Sequence, residues 1–131
     1  MNPTLDGALR DAKYLYLTTY GVSGKPSTVP VWCWYDGWDV FFTTDAESLK
    51  VRRIRRTGRV TVRVGTREGP SFEGQAEIMG GRPDLEASLL RAYHRKYWIM
   101  VPLYMGRWIR RRLATGRSVL VRVSPRPASA G

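Results

Sequence analysis

Apolar and polar positions alternate along this chain with two different periods, and the switches between them mark its elements. Leu5, Ala8, Leu9 and Ala12 stand at helical spacing and predict a short helix over about the first eleven residues. Residues 14–20 (YLYLTTY) alternate and are rich in aromatic and β-branched side chains, which predicts a strand. The stretch GVSGKP is a turn on glycine and proline chemistry. Residues 27–35 (STVPVWCWY) predict a second strand. One of its faces carries Val29, Val31, Cys33 and Tyr35, the other Thr28, Pro30, Trp32 and Trp34. Pro30 has no N–H to give to a ladder, so this strand is an edge or is bulged there. Asp36-Gly37 is a hairpin signal, and 38–43 (WDVFFT) is the third strand.

Beyond it, Thr44 with Glu47 three residues on reads as a capping box opening a helix. Ala46, Leu49, Val51 and Ile54 would face the core, and Gly58 would end the helix. Alternation resumes over 59–66 (RVTVRVGT), turns at Glu68-Gly69-Pro70 and returns over 71–79 (SFEGQAEIM). Gly80-Gly81 breaks the chain before a helix over 84–99, with Leu85, Leu89, Ala92 and Trp98 or Ile99 near one stripe. Pro102 interrupts it, 103–113 is helical again, and 118–123 (SVLVRV) is the last strand. Six short strands joined by tight turns, with helices inserted between them, predict a mainly β fold: an antiparallel β-barrel with peripheral helices. The expected organisation is one domain over 1–124 and a flexible tail over 125–131, within a stretch, SPRPASAG, whose composition is that of a disordered tail.

Composition narrows the chemistry more than the fold. One cysteine and one histidine, Cys33 and His94, leave neither an intrachain disulfide nor a Cys/His zinc site. The eleven acids are scattered through turns and helix starts, so paired-carboxylate catalysis has no candidate pair. Neither GxGxxG nor GxxxxGK[ST] occurs. No apolar run approaches the ~20 residues of a membrane span, and the first residues have no signal-peptide core, so a cytoplasmic protein is expected. The net charge is the informative figure: 22 Lys+Arg against 11 Asp+Glu give +11, a field that attracts polyanions.

Placement sharpens that charge. From Lys50 to Arg67 there are eight basic residues and no acid. They follow Thr43, Thr44 and Ser48 at a predicted strand-to-helix junction, where unpaired N–H groups and the helix dipole favour a phosphate. On spacing alone two readings stand, an anion site or a capped surface helix with a solvated basic face. Trp32, Trp34, Tyr35, Trp38, Phe41 and Phe42 crowd two adjoining strands. Core or dimer-interface packing accounts for most of them, and a planar ligand lying along the Thr28–Trp32 strand is the other reading.

The stretch LYLTTYGVSGKPSTVPVWCWYDGWDVFFTTDAESLKVRRIRRTGRVTVRV resembles the pyridoxamine 5′-phosphate oxidase-like split β-barrel flavoproteins. It is most similar to their flavin/deazaflavin oxidoreductases of B type, which use the deazaflavin coenzyme F-420. The resemblance covers 14–80 and, more loosely, 117–125. It implies a six-stranded split barrel, a homodimer with the site between the two barrels, and hydride transfer between the cofactor and a small organic substrate. By position, Lys50 falls on the family's phosphate lysine, with Ser48 beside it. Thr43 and Thr44 fall where phosphate or ribityl oxygens are held, and the backbone of Pro30, Val31 and Trp32 falls at the pyrimidine edge of the ring. Arg53, a further cofactor-binding candidate, stands where many members carry asparagine, and much of the Arg55, Arg56, Arg59 run is expected to be structural. Trp34, Trp98 and Tyr104 are the candidates for the substrate side. FMN is the alternative cofactor, bound by its phosphate at the same place. A protein that leaves hydride chemistry to its cofactor needs no catalytic His, Cys or acid pair of its own. Outside this superfamily, a barrel binding nucleic acid through its arginines and aromatics, or a haem carrier using His94, are the competing classes. The arginines of 107–112 have no assigned role.

Overall fold

The structure is a computed structural model and describes residues 3–97 and 103–125. In chain order it contains α1 (Pro3–Asp11), β1 (Leu15–Tyr20), β2 (Pro26–Val31), β3 (Trp34–Tyr35), β4 (Val40–Asp45) and α2 (Leu49–Thr57). There follow β5 (Arg59–Val64), β6 (Ser71–Met79), α3 (Pro83–Lys96), α4 (Leu103–Ala114) and β7 (Ser118–Pro125). All strands join one antiparallel sheet in the order β2-β1-β5-β6-β7-β4-β3. Its two edges, β2 and β3, are consecutive in the chain and separated only by Trp32 and Cys33. The three Cα–Cα steps from Val31 to Trp34 span at most about 11 Å, so the sheet has to curl until its edges nearly meet. The barrel is thus closed by the chain itself, with no ladder between β2 and β3.

This seam is where the structure departs from the expected six strands. The segment 27–35 is one apolar run in sequence but two strands in space: Val31 pairs with Leu15, whereas Trp34 pairs with Phe41 at the opposite edge. Pro30 lies on edge strand β2 opposite Tyr16, exposed, as its missing donor requires. β7 runs to Pro125, one residue into the segment assigned to the tail, and 126–131 lie outside the described residues.

Alternation puts Leu15, Leu17, Val40, Phe42, Val60, Val62, Val64, Ala76, Val121 and Val123 inside the barrel. Leu5, Leu9 and Ala12 of α1 and Ile54 of α2 join the same core. A second core lies outside the sheet. There α3 and α4 bring Leu89, Leu90, Tyr93 and Ile109, with Tyr97 just past α3, onto Phe41 and Leu120, with Trp32 and Trp34 against them.

The capping box predicted at Thr44 does not form. Strand β4 continues through Thr44 to Asp45, held by β7 (Thr44 opposite Val119, Asp45 opposite Ser118), so sheet pairing overrides the local helix signal. Helix α2 starts four residues later with Ser48 in the N-cap position. Ala46 therefore lies outside the helix. Leu49 is half exposed because it sits about 200° around the helix from Val51, which with Ile54 forms the buried stripe. Gly58 ends α2 as expected, at φ 72°. A Cβ there would lie 2.8 Å from the Ala76 carbonyl oxygen. Gly58→Ala should cost about 1–2 kcal/mol from the left-handed backbone alone, read as a lower denaturation midpoint at unchanged m-value. An unaltered midpoint would mean that the turn relaxes freely.

Candidate functional site

Where β4 meets α2 the chain makes a tight turn that carries Ser48 and Lys50. Asp45 organises it. Its backbone carbonyl accepts the Ser48 N–H at 3.1 Å, and its carboxylate accepts the Glu47 N–H at 2.8 Å. The other carboxylate oxygen takes Arg112 at 3.1 Å, and Arg112 also donates to the Ser118 hydroxyl at 2.9 Å. The Ala46 N–H is bound by the Arg117 carbonyl at 2.9 Å. The turn is thereby fixed from both sides, and it delivers Ser48 and Lys50 to the start of α2.

That start is not capped by any side chain. The first-turn N–H groups of α2 have no intrahelical acceptor. The Ser48 hydroxyl oxygen is buried and has no hydrogen-bond partner among the described residues, an uncommon and costly state for a buried polar atom. Lys50 is half buried, and burial lowers its pKa from the usual lysine value, with Asp45 pulling the other way. Uncapped amides, an orphan hydroxyl and a partly desolvated ammonium all favour an oxyanion. Thr43 and Thr44 are half buried at the end of β4 and point to opposite faces of it, Thr43 against Tyr93. Of the predicted residues, Ser48 and Lys50 are brought together in the first turn of α2.

Arg53 is turned elsewhere: its guanidinium donates to the Thr19 carbonyl at 3.2 Å, and Arg56 donates to the Tyr20 carbonyl at 2.9 Å. Both tie α2 to the end of β1. Arg59 lies 4.2 Å over the Tyr20 ring.

The predicted ring-seating segment lies on the seam. Val31 packs toward the barrel interior and Trp32 toward α3. The Trp32 indole stacks on Tyr97 at 4.5 Å and meets Tyr93 edge-on at 5.8 Å. Its carbonyl accepts the Tyr93 hydroxyl at 3.3 Å. The Tyr97 hydroxyl accepts the Cys33 N–H at 3.2 Å and donates to the Lys13 carbonyl. Burial pushes both phenols far above the usual tyrosine pKa, so both remain proton donors. Trp34 stacks on Phe41 at 4.7 Å and lines a cleft of about 320 Å³ with Cys33, Tyr35, Arg95 and Lys96. The Lys96 ammonium is 3.4 Å from the Cys33 sulfur, whose pKa burial nonetheless raises. Trp98 and the Tyr104 side chain lie outside the described residues.

Tyr93, Tyr97, Lys96 and Arg112 were missed in sequence. The i,i+4 pair Tyr93/Tyr97 was the available signal for the first two. Nothing in sequence links Arg112 to Asp45, 67 residues away.

The family model for pyridoxamine 5′-phosphate oxidase matches residues 1–125. The chain belongs to this family. Within it the closed sheet and peripheral helices are the split barrel of the flavin-binding, pyridoxamine-phosphate-oxidase-like proteins. A conserved hypothetical protein from Mycobacterium tuberculosis superposes with a TM-score of 0.75 at 22% identity, over 97% of this chain and 82% of that one. An F-420 reductase superposes at 0.66 and 21% identity, over 93% of each chain. An FAD-binding protein from Mesorhizobium loti superposes at 0.65 and 13% identity, over 97% and 91%. These likenesses are of fold. No curated protein matches the chain by sequence. No helix among the described residues of this family member is long and apolar enough to cross a membrane, and none of its described His, Cys, Asp or Glu side chains cluster in threes.

Proposed function

We propose that the protein is an oxidoreductase that binds coenzyme F-420 and passes hydride between it and a small organic substrate. The observation that carries the reading is the orphan Ser48 hydroxyl at the uncapped start of α2, beside half-buried Lys50. This corner fits the phosphate of a flavin-type cofactor. Lys50 would supply charge, Ser48 and Thr44 hydroxyl donors, and the α2 amides their dipole. The backbone of Pro30, Val31 and Trp32 would face the ring, held at the seam by Tyr93 and Tyr97. When bound, the deazaflavin supplies a hydride from its ring, and the protein's work is binding, orientation and exclusion of water. The Trp34 cleft is of the size of a small-molecule site, roughly 300–1,000 Å³, and opens beside Cys33 at the same seam.

F-420 is favoured over FMN because its anionic tail suits a +11 chain. A homodimer with the site between the barrels belongs to the same reading. His94 does not favour the haem reading: the cleft it lines, about 180 Å³, lies below the small-molecule range.

Titration of the purified protein with F-420 and, separately, FMN at moderate salt decides the cofactor. Saturable F-420 binding with FMN at least tenfold weaker is the expected result. The reverse order moves the protein to the flavin branch, and binding of neither overturns the corner as a cofactor site.

A further inference from the structure

The arginines divide by what they touch. Arg10, Arg82, Arg112 and Arg122 pair with carboxylates, Arg53 and Arg56 hold backbone carbonyls, and Arg59 and Arg67 cover tyrosine rings. Among the described residues the other arginines do none of these things, and three of them, Arg91, Arg107 and Arg110, line one cleft between α3 and α4, together with His94, Leu90 and Gly106. Among the described residues, Arg91 donates to the Ser88 hydroxyl of its own helix, at 3.1 Å, and no salt bridge involves the three. No acid lines the cleft, and the connection between the helices, WIMVP, contains none either. Three arginines border a concavity that no acid lines, which concentrates positive potential there.

The shape of the cleft depends on Gly106. A Cβ there would lie 2.8 Å from the His94 Nε2, so the missing side chain lets the imidazole edge lie against α4 within the cleft. The volume, about 180 Å³, equals that of about six liquid water molecules at ≈ 30 Å³ each. That is room for an anion of inorganic size. Trp108, the exposed aromatic of α4, has the Arg112 guanidinium 5.1 Å over its ring, so that face is not free to stack a base. Planar guanidinium forks suit a phosphoryl group that can accept several paired hydrogen bonds.

We propose that the α3–α4 cleft is a binding site for a diphosphate-sized oxyanion, held by Arg91, Arg107 and Arg110 with His94 as a further hydrogen-bonding partner. The proposal is independent of the cofactor reading, and its test is arranged to stay so. Inorganic pyrophosphate is titrated calorimetrically into Lys50→Ala protein, in which the α2 corner is weakened. One saturable site is expected to remain. Adding Arg107→Ala and Arg110→Ala, both exposed and without hydrogen bonds or ion pairs among the described residues, should weaken it by about a hundredfold or more, since each charge-assisted hydrogen bond is worth roughly tenfold in affinity or more. The His94 imidazole NMR signals should shift on saturation in the parent and stay still in the double-arginine variant. Gly106→Ala should weaken binding with the arginines intact. No saturable site, or one indifferent to the two arginines, overturns the proposal. So does tighter binding to a duplex oligonucleotide or to phosphatidylglycerol vesicles that excess pyrophosphate does not displace, which would make this face a macromolecular docking surface.

Discussion

Replacing Lys50 by alanine should weaken cofactor binding roughly tenfold to a hundredfold while leaving the protein folded. The magnitude follows from one charge-assisted hydrogen bond, about 1.5–3 kcal/mol, at 1.4 kcal/mol per tenfold. Binding should not vanish, because the α2 amides and the Ser48 hydroxyl remain in place. Stability should not fall either. Burial already disfavours the Lys50 ammonium in the absence of an anion, and removing a partly desolvated charge relieves that cost. The same burial gives a pH signature. The folded pKa lies below the usual lysine value, so the ammonium is lost at a lower pH than an ordinary lysine would lose it. A phosphate dianion needs that charge, so wild-type affinity should fall on the alkaline side, and Lys50→Arg should move the fall to higher pH. Equal dissociation constants for wild type and Lys50→Ala would sink the phosphate assignment. A lowered Tm in Lys50→Ala would show that the lysine is structural.

Legibility of this corner in sequence was uneven for a physical reason. Ser48 and Lys50 were legible because a strand running into a basic helix places hydroxyls and a cation at one N-terminus. The exact start of that helix was not. Thr44 and Glu47 make a sound local capping signal, but the signal competes with a ladder to Ser118–Leu120 that lies more than seventy residues downstream. Periodicity likewise identified 27–35 as extended but could not show that it changes partners at Trp32-Cys33. Both faces of that run are apolar, because one half packs inside the barrel and the other against α3. The arginine excess was visible as a number and opaque as a pattern. Its sorting into carbonyl ties, ring covers, carboxylate pairs and unpaired cleft residues depends on contacts across the fold.

The seam itself makes the second large expectation. Tyr97→Phe should destabilise the protein by about 2–3 kcal/mol, an expectation built from the cost of orphaning buried polar groups, ~1–3 kcal/mol each. Phenylalanine keeps the stack on Trp32, so the change isolates the hydroxyl. That oxygen is the acceptor for the Cys33 N–H, and Cys33 is fully buried, so no water can replace it. The Lys13 carbonyl, on an exposed residue, can turn to solvent, which keeps the total nearer one lost group than two. For a domain of this length the loss corresponds to a Tm lower by about 5–15 °C. Hydrogen exchange should localise it: the Cys33 amide should exchange faster by more than the core amides of β5 do, because the barrel is closed at that point by chain and phenol with no ladder. Cofactor affinity should decline with it, since the Pro30–Trp32 backbone runs directly into Cys33. A Tm within about 1 °C of wild type, with Cys33 as protected as before, would mean that the stack of Trp32 on Tyr97, with Tyr93 edge-on, holds the seam and the hydroxyl does not.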